Sequence, residues 1–212
     1  MNLTEPIRDK EEVRRLIYHY RKLGESRNYV LISLCVHTAL RISDILRIKN
    51  EQVYDYKNKC VRKFITIKEQ KTGKSKIIAL NDGAVIALEY HFNNTASFTG
   101  TESSDITKFI STGHATTNPA APLILNSRTG KSISRIQAYR LIRAAAEAVK
   151  TTCRASCHSL RKTFGYHAWK SGTSPAVIMD IYNHSSLAVT KRYLGVTQDD
   201  KNAVYLGMDF NA

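Results

Sequence analysis

His158 and Arg161 stand three residues apart in the run Cys157-His158-Ser159-Leu160-Arg161-Lys162-Thr163-Phe164. On a helix that spacing projects both side chains from one face. It sets an imidazole, which exchanges protons near neutrality, beside a permanently charged guanidinium fork suited to phosphate. Leu160 and Phe164 fall on a different, core-facing stripe. Taken alone, the pair also fits two ordinary surface neighbours. A second arginine, Arg41, lies in Thr38-Ala39-Leu40-Arg41-Ile42-Ser43-Asp44-Ile45-Leu46, where one helix ends and the next begins. Its flanks are apolar, and a charge in such a setting is paired or put to use. Asp44 offers a structural partner. Lys71 opens the polar run Lys71-Thr72-Gly73-Lys74. It reads either as solvated turn decoration or as a mobile ammonium that reaches a phosphate or a leaving oxygen. The run is not a phosphate-binding loop, because the Gly-x4-Gly-Lys-Ser/Thr pattern is absent. Finally, Tyr182-Asn183-His184-Ser185-Ser186-Leu187-Ala188-Val189-Thr190-Lys191-Arg192-Tyr193 carries a second histidine and a phenol. The chain has 11 tyrosines, so Tyr193 gains meaning only from its company.

These residues need a scaffold, and the sequence predicts a mostly helical one. Val13, Leu16, Ile17 and Tyr20 recur at helical spacing over residues 9–24, and Gly24 can end that helix. An apolar helix follows over 27–40, with His37 on its core face as a hydrogen-bonded residue, and Ser43 reads as the cap of a short helix to Arg47. Residues 60–80 change to β-type runs on either side of the Lys71–Lys74 turn, which predicts a β-hairpin. Asn81 or Asp82 caps a helix to about His91. Residues 93–121 are rich in Ser, Thr, Asn, Gly and Ala and read as one long loop. Helices are then expected over 132–150, 158–171, 174–182, 186–193 and 198–206. The fold class is mostly α with a small antiparallel β-sheet (α+β).

Composition narrows the partners. Thirty-two Lys and Arg face 18 Asp and Glu, a formal charge of +14 over 212 residues. The basic residues are spread along the chain, which predicts a folded basic surface facing a polyanion rather than a disordered arm. No run of about 18 apolar residues is present and the start lacks a secretory pattern, so a cytoplasmic protein with no membrane partner is expected. Cys35 and Cys60 read as core or semi-buried thiols. Cys153 and Cys157 lie beside His158 but lack a second pair at zinc spacing, so no metal is expected.

The whole pattern resembles the tyrosine recombinases of the phage-integrase family. That family has an Arg in a (G/A)-L-R-x-(S/G)-E box, a hairpin Lys, His-x-x-Arg, a second His, and a nucleophile in T-x-x-Y. By resemblance Arg41, Lys71, His158, Arg161, His184 and Tyr193 take those places, in order, across residues 8–197. Ala39 stands for the common Gly of the first box and Asp44 for the common Glu. Tyr182-Asn183 replaces Leu-Gly before His184, where Gly best tolerates positive φ.

The resemblance implies a recombinase catalytic-domain fold over 1–212 with no preceding core-binding domain, and a tail over 197–212 that contacts neighbouring protomers. It implies double-stranded DNA as partner, with a monomer in solution and a tetramer on paired sites. The implied reaction is cleavage and rejoining through a 3′-phosphotyrosine, with no cofactor, metal or ATP. Arg41 and Arg161 would hold the non-bridging oxygens, His158 take the Tyr193 proton, His184 donate to the phosphate and Lys71 protonate the leaving oxygen. A type IB topoisomerase-like enzyme and a non-catalytic DNA-binding module are the competing readings.

Overall fold

The computed structural model describes residues 4–96 and 117–208. Helix α1 (Lys10–Lys22) starts at Asp9, whose carboxylate accepts the Glu11 N–H at 2.8 Å, and buries Val13, Leu16, Ile17 and Tyr20 on one stripe. Helix α2 (Ser26–His37) is apolar nearly all round and is buried nearly all round, from Tyr29 to Val36. It is the central post against which α1, α5 (Asp82–Ala96) and α7 (Cys157–Lys170) pack. Further helices among the described residues are α3 (Ile42–Ile45), α4 (Asn50–Val53), α6 (Arg135–Ala148), α8 (Pro175–Tyr182), α9 (Leu187–Leu194) and α10 (Gln198–Gly207).

The β structure is not one sheet. Among the described residues it forms three separate antiparallel pairs: β1 (Tyr54–Asp55) with β2 (Cys60–Val61), β3 (Phe64–Lys68) with β4 (Ser75–Ala79), and β5 (Leu125–Asn126) with β6 (Lys131–Ser132). The two-residue strands are too short to show alternation, so sequence periodicity reveals only the β3–β4 hairpin. In that hairpin Ile65 pairs with Ile78 and Ile67 with Lys76, and the inward face continues to Glu69 just past the end of β3. A period of two thus carries a carboxylate into the interior next to the Lys71 turn.

Several boundaries move. Helix α5 runs on to Ala96, and most of the expected loop, residues 97–116, lies outside the described residues. Ser43 does not cap α3: Arg41 holds that position and Ser43 sits within the helix, because the chain leaves α2 through Ala39 at φ 56° and turns directly. Cys35 is buried as expected, but Cys60 is exposed, being on the outer side of a two-residue strand. His37 bonds to Asn81 Nδ2 at 3.1 Å, as expected of a hydrogen-bonded histidine beside the core. No described helix is long and apolar enough to cross a membrane.

A small satellite core holds the last helices in place. Ala39, Ile178, Tyr182 and Leu194 pack together with Phe164 and Trp169, tying α8 and α9 to α7 and to the end of α2. Gly165 makes this fit feasible, since a side chain there would overlap Tyr182.

Candidate active site

Arg41, Lys71, His158, Arg161, His184 and Tyr193 all line one cleft of about 380 Å³, together with Ser43, Arg135 and Cys157. They come from the α2–α3 junction, the β3–β4 turn, α7, the α8–α9 connection and α9. Residues up to 152 positions apart in sequence are therefore neighbours only because these elements pack as they do.

The two guanidiniums share an acceptor. Arg161 is buried, gives one Nη to the Ala39 carbonyl and the other to the Tyr182 carbonyl at 3.0 Å, and lies over the Tyr182 ring, 4.7 Å from its centroid. Arg41 gives Nη2 to the same Tyr182 carbonyl at 3.3 Å. That carbonyl is free to accept because it ends α8, where the last carbonyls lack intrahelical donors. Asn183 follows at φ 52°, ψ 50°, so asparagine itself takes up a left-handed turn where glycine would be easiest.

Arg41 does not pair with Asp44. Its Nη1 lies 3.2 Å from Glu69 Oε1, and Asp44 Oδ1 instead accepts the Gln70 backbone N–H at 3.0 Å, fixing the root of the Lys71 turn. Register decides this, because the inward face of β3 delivers Glu69 to the arginine. Glu69 Oε2 accepts from Thr72 Oγ1 at 2.8 Å and from Asn183 Nδ2 at 3.1 Å. Burial pushes its carboxyl up in pKa. The Thr72 and Asn183 hydrogen bonds, with the Arg41 and Lys76 charges, outweigh that and hold it below the ordinary value. The 3.2 Å contact is not aligned as a hydrogen bond, which leaves the buried Nη1 of Arg41 with unspent donor capacity at the cleft wall.

Tyr193 Oη lies 3.2 Å from His158 Nδ1, with the rings edge to face at 4.9 Å. Burial raises the phenol's pKa, and the nearby Arg161 and Arg41 charges pull against that rise. His158 is held below its ordinary value by burial, then by Lys162 and Arg161. His184 Nδ1 bonds Thr190 Oγ1 at 3.0 Å, leaving Nε2 for the cleft. Burial and then Arg161, Arg41, His158 and Lys71 push His184 down to about 4. Lys71 is exposed on its turn, and Gly73 at φ 68° closes that turn.

Sequence reasoning missed Glu69, Tyr182, Thr190 and Arg135. Thr190 is the threonine of T-x-x-Y, so its spacing was visible while its role was not. Glu69 two residues before Lys71 looks like half of an exposed turn. Tyr182 was one tyrosine among many.

The chain belongs to the phage integrase family, whose model matches residues 8–199. Over 206 residues it is 34% identical to the probable integrase/recombinase YoeC of Bacillus subtilis, covering 97% of each chain. Over 135 residues it is 30% identical to the tyrosine recombinase XerC of Pelobacter propionicus, 64% of this chain and 38% of that one. Among solved structures, the XerA recombinase superposes with a TM-score of 0.71 at 20% identity, covering 99% of this chain and 68% of that one. XerH bound to a palindromic difH substrate gives 0.66 at 17%, covering 99% and 54%. These likenesses establish the recombinase catalytic-domain fold.

Proposed function

We propose that this chain is the catalytic domain of a site-specific DNA recombinase that cleaves and rejoins strands through Tyr193. The carrying observation is that a phenol, two guanidiniums with a shared acceptor, two imidazoles and a turn lysine line one cleft. Membership of the integrase family and relatives named recombinases support the same reading.

Each role follows from chemistry. Tyr193 gives its proton to His158 Nδ1, and the phenolate oxygen bonds to phosphorus. The P–O5′ bond breaks, and Lys71 supplies the proton that the departing oxygen takes up. Arg41 and Arg161 hold the non-bridging oxygens as charge builds there. Neutral His184 donates its Nε2–H to the same group. The phosphotyrosine preserves the phosphodiester's energy, so a 5′-hydroxyl can reverse the step without ATP.

Double-stranded DNA is the substrate, in keeping with the +14 charge and with XerH bound to difH. Assembly on paired sites draws support from α10, where Val204, Tyr205 and Leu206 are exposed, as is Met208 just past its end. A nicked suicide duplex in EDTA is expected to trap a covalent adduct that Tyr193→Phe abolishes while binding persists. An adduct surviving that change would refute Tyr193 as nucleophile. Relaxation of one-site supercoiled DNA, with no exchange between two sites, would favour the topoisomerase-like reading.

A further inference from the structure

Lys162 follows Arg161 on α7 and is only 6% exposed. A buried ammonium has to find partners. Those of Lys162 are the Thr4 carbonyl, 2.7 Å from Nζ, and the face of the Tyr193 ring, whose centroid is 5.3 Å from Nζ. Neither is a carboxylate; Glu5 on the strap acts on the ammonium through its charge but makes no ion pair with it among the described residues, so part of the positive charge stays unneutralised beside the cleft.

The segment that carries the Thr4 carbonyl is tied to α7 at Ile7. Ile7 is fully buried, its N–H donates to Thr163 Oγ1 at 2.9 Å, and its carbonyl lies 3.0 Å from His167 Nε2. Residues 4–8 thus form a strap stitched along α7. The same strap reaches the end of α9, where Pro6 and Arg8 flank Gly195. Lys162 stands where the strap, α7 and the Tyr193 helix meet.

Two consequences follow from that placement. A cation over a phenol face is attracted to the ring's negative face, and more so to a phenolate. Lys162 also lies one turn beyond His158 on the same face of α7, where its charge opposes an imidazolium. Burial first, and then this charge, keep the His158 lone pair free to take the phenol proton.

We propose that Lys162 is a positioning residue for strand cleavage: anchored by the strap, its ammonium seats the Tyr193 ring and keeps His158 unprotonated for proton transfer. This rests on the reading of Tyr193 as nucleophile. The other ionisable groups facing the pair are Arg41, Lys71, Arg135, Cys157, Arg161, Tyr182 and His184 around the cleft, and Glu5 on the strap side. None of these groups is itself altered by a substitution at Lys162.

The test is the pH profile of adduct formation on a suicide duplex with sulfur at the bridging 5′ position, where departure needs no acid. For Lys162→Met the acid limb is expected to move alkaline by about half to one pH unit, roughly a three- to tenfold loss at a fixed pH on that limb. Lys162→Arg is expected to restore the wild-type limb. If the Met variant does not fold, Lys162→Gln, which can still donate to Thr4, serves as the neutral form and is expected to shift alike. A folded neutral variant with the wild-type profile overturns the proposal, as does an Arg variant no better than the neutral one. A wild-type protein that forms no adduct sinks the recombinase reading itself, and this proposal with it.

Discussion

Glu69 places a buried carboxylate 3.2 Å from Arg41, which lines the cationic cleft. Such a charge opposes an incoming phosphate, yet it ties Arg41, Thr72 and Asn183 to one point. Glu69→Gln is therefore expected to bind DNA at least as tightly as wild type while cleaving roughly tenfold more slowly, a loss of about 1.4 kcal/mol in the barrier. Glu69→Ala removes the acid beside Arg41 and is expected to cost about 3 kcal/mol in urea unfolding, the low end for a buried pair because Arg41 is partly exposed. Weaker DNA binding by the Gln variant would show that Glu69 contributes to affinity.

Lys71 is exposed and carries no tie except through its turn, whose root is pinned by Asp44 and Glu69. Lys71→Ala is expected to slow cleavage of an ordinary duplex by about two to four orders of magnitude, the usual range for general acid catalysis. A bridging 5′ sulfur, which departs without a proton, should rescue it. Arg161→Ala should not be rescued. Equal failure of both variants would make Lys71 a phosphate contact.

Acid should destabilise the free protein before its carboxylates titrate. His37, His91, His158, His167 and His184 are all depressed, with burial the first cause in each, and His91 and His184 reach about 4. Unfolded histidines take up protons near pH 6.5. Between there and about 4 the unfolded chain binds more protons, so stability is full above 6.5 and falls as pH drops through that window. Buried His91 alone accounts for on the order of 3 kcal/mol at the bottom of it. Melting followed from pH 7.5 to 4.5 should show a steady fall in Tm. A flat Tm would mean these histidines titrate normally.

Gly165→Ala should damage the site through packing. A Cβ there would stand 2.8 and 2.9 Å from two carbons of the fully buried Tyr182 ring. Overpacking costs about 1–3 kcal/mol, offset in part by about 0.5–1 kcal/mol from the better helix former. Because Tyr182 carries the carbonyl shared by both arginines, cleavage should fall further than the urea midpoint suggests. Unchanged cleavage in a folded variant would show that the carbonyl tolerates displacement of its side chain.

DNA binding should follow salt steeply. Each phosphate neutralised by the basic surface should contribute a slope of about −0.9 in log affinity against log salt. A nearly flat response would point to a partner other than DNA.

The six cleft residues were legible through the family pattern they fill together; taken singly, each also fitted an ordinary structural reading. The left-handed turn at Asn183 was legible as a position where glycine would be easiest. Glu69 was not, since its burial depends on the register of β3 rather than on its neighbours in sequence. The Arg41–Asp44 pairing failed for the same reason: a partner three residues away lost to one delivered by a strand. The two-residue strands flanking α4 and α6 carried too little pattern to be read.

Both guanidiniums lean on the Tyr182 carbonyl, at 3.0 and 3.3 Å, and this sets the gap between two like charges before any anion arrives. Their mutual repulsion is overcome when the chain folds, by the same packing that seats α8. An arriving phosphate would then meet two ligands already gathered. Whatever neutralises the pair should also tighten the junction of α2, α7 and α8, so substrate occupancy and the rigidity of that junction are two faces of one equilibrium.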